Sequence, residues 1–247
     1  MSNSKLVSYT RWSPNKYSGR TFNRKKYSID RITPHCVVGQ CSIETLGAIF
    51  APVSRQASCQ YGIGADGRIG QYVSESDTSW CSSSRANDVR AVTIECASNT
   101  YSPYAMNTKV YNSLVKLCVD ICKRNGKTKL LWLGTKAKTL NYTPKSNEAV
   151  LSAHRWFAQK SCPGDWLYSR FGKLAEEVTR QLSGGLPYKV KITKDAGVRP
   201  KPTWKVDKTM VLKKGGVYTI VEESSDKKWG KLKSGAGWIN KDYYKKV

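Results

Sequence analysis

At 247 residues the chain is long enough for a full core and for two domains, one large and one small. Lys and Arg number 42 against 18 Asp and Glu, a formal net charge of +24, which predicts a polyanionic partner and exceeds what solubility alone requires. No apolar run reaches the roughly 18 residues of a membrane span, and the N-terminal Met-Ser-Asn-Ser-Lys lacks the apolar stretch of a secretory signal. The expectation is therefore a chain without membrane insertion that resides in the cytoplasm where it is made.

Residues 1–30 are polar and basic and read as an extended arm of loops. Residues 32–38 (Ile-Thr-Pro-His-Cys-Val-Val) read as a buried strand carrying His35, with Pro34 suggesting an edge position or a local break. Ser42 is placed to cap a short helix over 43–50, apolar at Ile43, Leu46 and Phe50. Strands over 58–63 and 68–73 flank the Asp66-Gly67 turn as a hairpin. After a small polar loop over 80–88, residues 89–97 alternate as a central strand that ends near Glu95.

A helix follows over 108–124, apolar at Val110, Leu114, Leu117 and Ile121 and stopped by Asn125-Gly126. Cys118 and Cys122 lie one turn apart on its apolar side, where free cysteine packs as a small hydrophobe. Residues 130–133 form a short buried strand, 141–145 a turn, 146–151 a helical turn leading to His154, and 165–182 the last helix. Strands interleaved with helices give an α/β domain over residues 1–183, with its core over 30–182. Residues 184–187 read as a linker. Beyond them the chain has no cysteine, no long helical period and short β-like runs, so 188–247 reads as a small all-β barrel or sandwich. Charge is denser there, with 16 basic and 6 acidic residues after Leu186.

The chemistry centres on residues 152–166, Ser-Ala-His-Arg-Trp-Phe-Ala-Gln-Lys-Ser-Cys-Pro-Gly-Asp-Trp. The chain has only two histidines, His35 and His154, and His154 stands eight residues before Cys162. Two imidazoles and a thiol suit a tetrahedral zinc whose fourth position stays open for water. A water so held ionises near neutral pH, and the metal polarises a carbonyl. Hydrolysis of an amide then needs a proton-handling group and a donor for the oxyanion. Glu95 is the best acidic candidate, and Lys160 puts a positive charge beside the metal.

Four motifs occur in order: Thr33-Pro-His-Cys-Val-Val-Gly39, Gln60-Tyr-Gly-Ile-Gly-Ala-Asp-Gly67, Thr93-Ile-Glu95, and His154-Arg followed by Lys160-Ser-Cys-Pro-Gly164. Together they resemble the zinc-dependent N-acetylmuramoyl-L-alanine amidases of the type-2 family, which are related to the peptidoglycan recognition proteins. The resemblance covers roughly residues 30–182. It implies zinc ligands His35, His154 and Cys162, a transition-state lysine at Lys160, and hydrolysis of the amide between N-acetylmuramic acid and L-alanine. Some members use a tyrosine where this chain has Cys59. Tyr61, two residues on, is expected to face the same way, and Glu95, which matches the Ile-Glu motif, is favoured over it.

Val198-Arg199, Leu212-Lys-Lys-Gly215, Trp229-Gly-Lys-Leu232 and Gly237-Trp-Ile239 resemble a bacterial SH3-type wall-binding domain. Gly197 stands where such domains usually carry Asn. Trp204, Trp229, Trp238, Tyr243 and Tyr244 among lysines suit stacking on glycan or peptide and attraction to acidic wall polymers, although Trp229 and Trp238 suit a barrel core equally well. The expected activity is that of a phage or prophage endolysin, waiting in the host cytoplasm and acting on peptidoglycan. The alternatives are a Cys/His endopeptidase with the same tail and a non-catalytic peptidoglycan recognition protein. Nucleic acid is not an expected partner, since only the charge suggests it.

Overall fold

In the computed structural model, which describes residues 3–247, the chain forms two units that part after Leu182. The first begins with β1 (Val7–Thr10) and three two-residue strands, β2 (Lys16–Tyr17), β3 (Thr21–Phe22) and β4 (Lys25–Lys26). Then come β5 (Arg31–Cys36), α1 (Ile43–Phe50), β6 (Tyr61–Ile63), β7 (Ile69–Gln71), β8 (Thr78–Ser79), α2 (Arg85–Asp88) and β9 (Ala91–Cys96). The unit closes with α3 (Thr108–Arg124), β10 (Lys129–Leu131), α4 (Lys136–Asn141), β11 (Glu148–Leu151), α5 (Asp165–Tyr168) and α6 (Phe171–Leu182).

Seven strands make one mixed sheet in the order β1-β7-β6-β9-β5-β11-β10, parallel throughout except for the β6–β7 hairpin. This is the expected α/β architecture. One face carries Ile32, Ile94 and Cys96 against Leu114 and Leu117 of α3 and Phe171 and Leu174 of α6. Asn107 caps α3 by accepting from the Val110 amide at 3.0 Å, and Cys118 and Cys122 are wholly buried on its core side. Each fully buried Leu or Phe there contributes roughly 1.5–3 kcal/mol, which fixes α3 and α6 against the sheet. The opposite face carries α1, whose Leu46 and Phe50 pack with Cys59 and Tyr72.

Several expectations are corrected. The N-terminal arm is not all loop, because β1 pairs with β7 and forms an edge of the sheet. Pro34 lies in a central, wholly buried strand rather than at an edge. Even-numbered residues of β5 bond towards β11, through Asp30 and Ile32 carbonyls, and odd-numbered ones bond towards β9. The β11 pairing covers only Arg31 and Ile32, so the amide that Pro34 lacks falls beyond the end of its neighbour. Residues 148–151 are a strand and not a helical turn: Glu-Ala-Val-Leu is buried throughout and fits between β5 and β10. The last helix is two helices, broken at Ser169-Arg170.

In the second unit β12 (Tyr188–Ile192), β13 (Ala196–Val198), β14 (Met210–Leu212), β15 (Val217–Glu223), β16 (Trp229–Leu232), β17 (Trp238–Asn240) and β18 (Tyr244–Lys246) contain no α-helix among them. Five form an antiparallel sheet in the order β17-β16-β15-β12-β18, and β13 pairs with β14. Val190, Ile192, Val198, Leu212, Ile220 and Ile239 fill the interior. Gly237 is required where it stands: its φ is +135°, and a Cβ there would lie 2.4 Å from the Arg199 carbonyl oxygen. Trp229 and Trp238 are buried, whereas Trp204 is 57% exposed. The Trp204 ring lies 4.7 Å from Trp229 and 6.2 Å from Tyr243, centroid to centroid. The Arg199 guanidinium stands over Trp204 at 5.1 Å and Lys194 over Tyr243 at 4.6 Å.

Candidate active site

Three adjacent parallel strands, β9, β5 and β11, end on the same side of the sheet, and ligand-binding groups in α/β folds gather at such carboxyl ends. Glu95 is the fifth residue of β9, and His35 is its partner in register on β5. Residues paired in register project to one face, so imidazole and carboxylate meet by construction. The chain leaving β11 turns at once into a single 3-10 turn, His154–Trp156, which brings His154 in beside them.

Cys162 arrives on the loop that follows. The Arg155 amide donates to the Cys162 carbonyl at 3.0 Å, and the Arg155 guanidinium bonds the Ser161 carbonyl and Asp165. Gly164 closes the loop with φ +81°, where a Cβ would press to 2.8 Å from Tyr104.

The ligand atoms of His35, His154 and Cys162 all lie within 4.8 Å of one another. His35 is wholly buried, with Nδ1 3.3 Å from Cys162 Sγ, and its ring centroid is 5.0 Å from that of His154. Burial, then the neighbouring imidazole, holds His35 well below the usual histidine range. Burial, then Lys160, lowers His154. Both rings are therefore neutral at physiological pH and offer lone pairs. Hydrogen bonding to Cys36, with burial, pushes the Cys162 thiol well up. Two neutral imidazoles and one thiol match the donor set of a zinc site with three protein ligands. Ligand atoms around a tetrahedral zinc stand roughly 3.5 Å apart by the usual bond lengths, so the residues fit.

Glu95 Oε1 is 3.8 Å from His35 Nδ1 and 3.9 Å from Cys81 Sγ. Its Oε2 is shielded from solvent and has no hydrogen-bond partner among the described residues. Burial lifts the carboxyl to about 7, with Arg55 and the Cys81 thiol acting the other way. A shielded carboxylate that ionises near neutrality is poised to accept and return a proton. Lys160 is exposed and lines the same cleft, of about 890 Å³, whose walls include Tyr17, Arg55, Trp80, Arg85 and Tyr104. Tyr17 and Trp80 lie 5.2 Å apart, and the Arg85 guanidinium covers Tyr17 at 3.8 Å.

The structure thus brings together His35, His154, Cys162, Glu95 and Lys160. It does not bring Tyr61 to them. Tyr61 is in register with Ile94 and Gly62 with Glu95, so the tyrosine takes the opposite face of the sheet. Its hydroxyl donates to Glu75 at 2.6 Å and accepts from the Ser4 amide at 3.0 Å. A bend at Gln60 breaks the two-residue alternation that would have aligned Tyr61 with Cys59. Sequence reasoning passed over Cys81, 3.3 Å from His35 Nε2, and Ser83, 3.2 Å from His154 Nε2. Both sit in a loop of small polar residues with no spacing that marks them.

A search of curated proteins finds no match. Solved structures similar to this chain include a mutant of PlyL, 12% identical over 69% of this chain and 96% of that one, with a TM-score of 0.48. The endolysin amidase LysCS from Clostridium intestinale is 14% identical over 71% and 96%, with a TM-score of 0.44. A mutant endolysin from Bacillus subtilis is 14% identical over 70% and 99%, with a TM-score of 0.46. The sequence profile of the N-acetylmuramoyl-L-alanine amidase family matches residues 15–165, more than half of the chain, and the chain belongs to that family.

Proposed function

We propose that this protein is a zinc-dependent peptidoglycan hydrolase that cleaves the amide between the lactyl group of N-acetylmuramic acid and L-alanine. The observation that carries the reading is the meeting of His35, His154 and Cys162 beside a half-buried carboxylate with one shielded, unpartnered oxygen, Glu95 Oε2. His35, His154 and Cys162 would hold the metal, which when bound would supply Lewis acidity and make a water nucleophile available near neutral pH. Glu95 accepts the proton that the attacking water loses as its oxygen bonds the carbonyl carbon. As the C–N bond breaks, the same carboxyl returns that proton to the departing alanine nitrogen, leaving a free amine and a lactyl carboxylic acid, which then ionises to solvent. Lys160 faces the cleft and offsets the negative charge that gathers on the carbonyl oxygen. The cleft's Tyr17 and Trp80 give the glycopeptide an apolar wall.

The second unit is read as an SH3-like wall-binding domain, with Trp204 as its stacking surface and Arg199 and Lys194 attracting acidic wall polymers. The whole then acts at the cell wall as an endolysin. No helix of the described residues is long and apolar enough to cross a membrane.

The rival is a Cys/His peptidase, favoured by the 3.3 Å contact of Cys162 with His35. Clearing of a wall suspension decides between them. Chelation and His154→Ala are expected to abolish clearing, and added zinc to restore the wild type, with release of peptides bearing free N-terminal alanine. Clearing that survives chelation, or products with amino groups freed from the cross-links, sinks the amidase reading.

A further inference from the structure

Three cationic side chains line the cleft, Arg55, Arg85 and Lys160, and all three are exposed. None stands within ion-pair distance of a carboxylate among the described residues. Two acidic groups share the cleft with them. Glu95 is given to proton handling, and Asp88 is buried, its Oδ2 accepting from the Cys81 and Ser82 amides at 3.0 Å. The cleft therefore carries positive charge that the protein leaves unbalanced, and its counterpart is an anionic group on the substrate.

Arg85 differs from the other two in being held. Its guanidinium lies 3.8 Å from the Tyr17 ring centroid and 5.5 Å from that of Phe22, and its Nη2 donates to the Thr21 carbonyl at 3.3 Å. All three partners belong to the N-terminal arm, which is itself locked to the body of the unit. Lys16 pairs with Asp77, whose Oδ1 accepts from the Gly19 amide at 2.9 Å, and the Thr78 hydroxyl donates to the Gly19 carbonyl at 2.8 Å. The side chains of Arg55 and Lys160 have no hydrogen bond or ring contact among the described residues. An arginine already held gives up less freedom on binding, and a planar fork matches a carboxylate with two parallel hydrogen bonds. Thr21 engages only one of its five N–H donors.

We infer that Arg85 is a specificity-determining residue that receives a carboxylate of the substrate's peptide, so that acidic muramyl peptides are favoured over their carboxamides. The arm, through Tyr17, Thr21 and Phe22, holds the fork in place. Ser83, whose hydroxyl stands 3.2 Å from His154 Nε2, lies two residues before Arg85, a backbone separation of at most about 7 Å. A carboxylate on the first residues beside the scissile amide is therefore within reach of the fork. The inference rests on the amidase reading for the scaffold that bears the carboxylate.

The test uses the full-length protein with N-acetylmuramyl-L-alanyl-glutamate and its bis-carboxamide. Wild type loaded with zinc is expected to cleave the diacid with a kcat/KM about 10–100-fold above that of the diamide, the range of a charge-assisted hydrogen bond, with the difference in KM. Arg85→Gln should bring the diacid down to the level of the diamide, and Arg85→Lys should recover only part, because an ammonium lacks the fork. Phe22→Ala, outside the cleft lining, should raise KM for the diacid alone, by less than Arg85→Gln does. Equal cleavage of both substrates by the wild type overturns the inference. So does an Arg85→Gln protein that slows both equally, or one that keeps the preference and so assigns the carboxylate to Arg55 or Lys160. Should the glutamine variant fail to fold by circular dichroism, the wild-type preference and the lysine and Phe22 variants still decide. If neither substrate is cleaved, the amidase reading fails instead. Calorimetric binding to chelated protein then decides for Arg85: the diacid binding no tighter than the diamide overturns its role.

Discussion

Two carboxylates in the first unit, Glu75 wholly buried and Glu95 half-buried, have opposite surroundings. Glu75 is wholly buried and saturated: Tyr61 donates to it at 2.6 Å, and both terminal nitrogens of Arg124 donate, at 2.6 and 2.8 Å. Glu95 has no Lys or Arg within hydrogen-bond reach among the described residues, only the His35 imidazole and the Cys81 thiol near one oxygen and nothing on the other. A saturated buried ion pair fixes structure, and removing one partner strands the other. An unsaturated buried carboxylate is the kind of exception that marks chemistry. Tyr61 lies with the first group, although its place in the sequence made it a candidate for the second.

The sharpest way to break this contrast is to neutralise each carboxylate in turn. Glu95→Gln is expected to lower kcat about 10²–10⁴-fold with the fold intact, measured as wall clearing against thermal melting. A variant that clears at wild-type rate removes Glu95 from the chemistry. Glu75→Gln should do the reverse. Parting the half-buried Arg124 from its buried carboxylate is expected to cost about 3 kcal/mol in urea unfolding, with specific activity per folded molecule unchanged.

The contrast also has a pH signature. In chelated protein Glu95 ionises near 7 when folded and near 4.5 when unfolded. Between those values the folded state holds the extra proton, so stability falls as pH rises through the window, by roughly 3 kcal/mol. Glu95→Gln should flatten that slope, and a slope that persists assigns it elsewhere. The smallest effect concerns Tyr61. Tyr61→Phe removes one hydrogen bond to Glu75 and is expected to cost about 1 kcal/mol of stability with no change in kcat. A large loss of activity in a folded Tyr61→Phe protein would return the tyrosine to the active site.

Much of this was legible in the sequence. His35 and Glu95 sit on strands whose patterns were clear, and two strands in register bring their side chains together with no further information. His154 and Cys162 were legible because the chain has few histidines and the Pro-Gly after Cys162 marks a tight turn. The misreadings share a cause, which is that tertiary pairing overrode local signals. Residues 148–151 look helical alone and become a strand only because β5 and β10 offer edges on both sides. The one bend at Gln60 turned Tyr61 away from the face that simple alternation assigned it. The place of Cys81 beside His35 carried no signal, since its loop is held by a carboxylate, Asp88, seven residues further on.

Pro34 leads to a last consequence. A residue with an amide at that position would present a donor on the side where β11 turns away, one step past Leu151. The departing chain would then have reason to continue the ladder and zip on along β5. By withholding that donor, the proline acts as a stop on the zipper. The place where the two strands part is also where the chain leaving β11 turns to bring in His154. The missing bond of one residue in the floor of the sheet thus coincides with the point at which the active site opens.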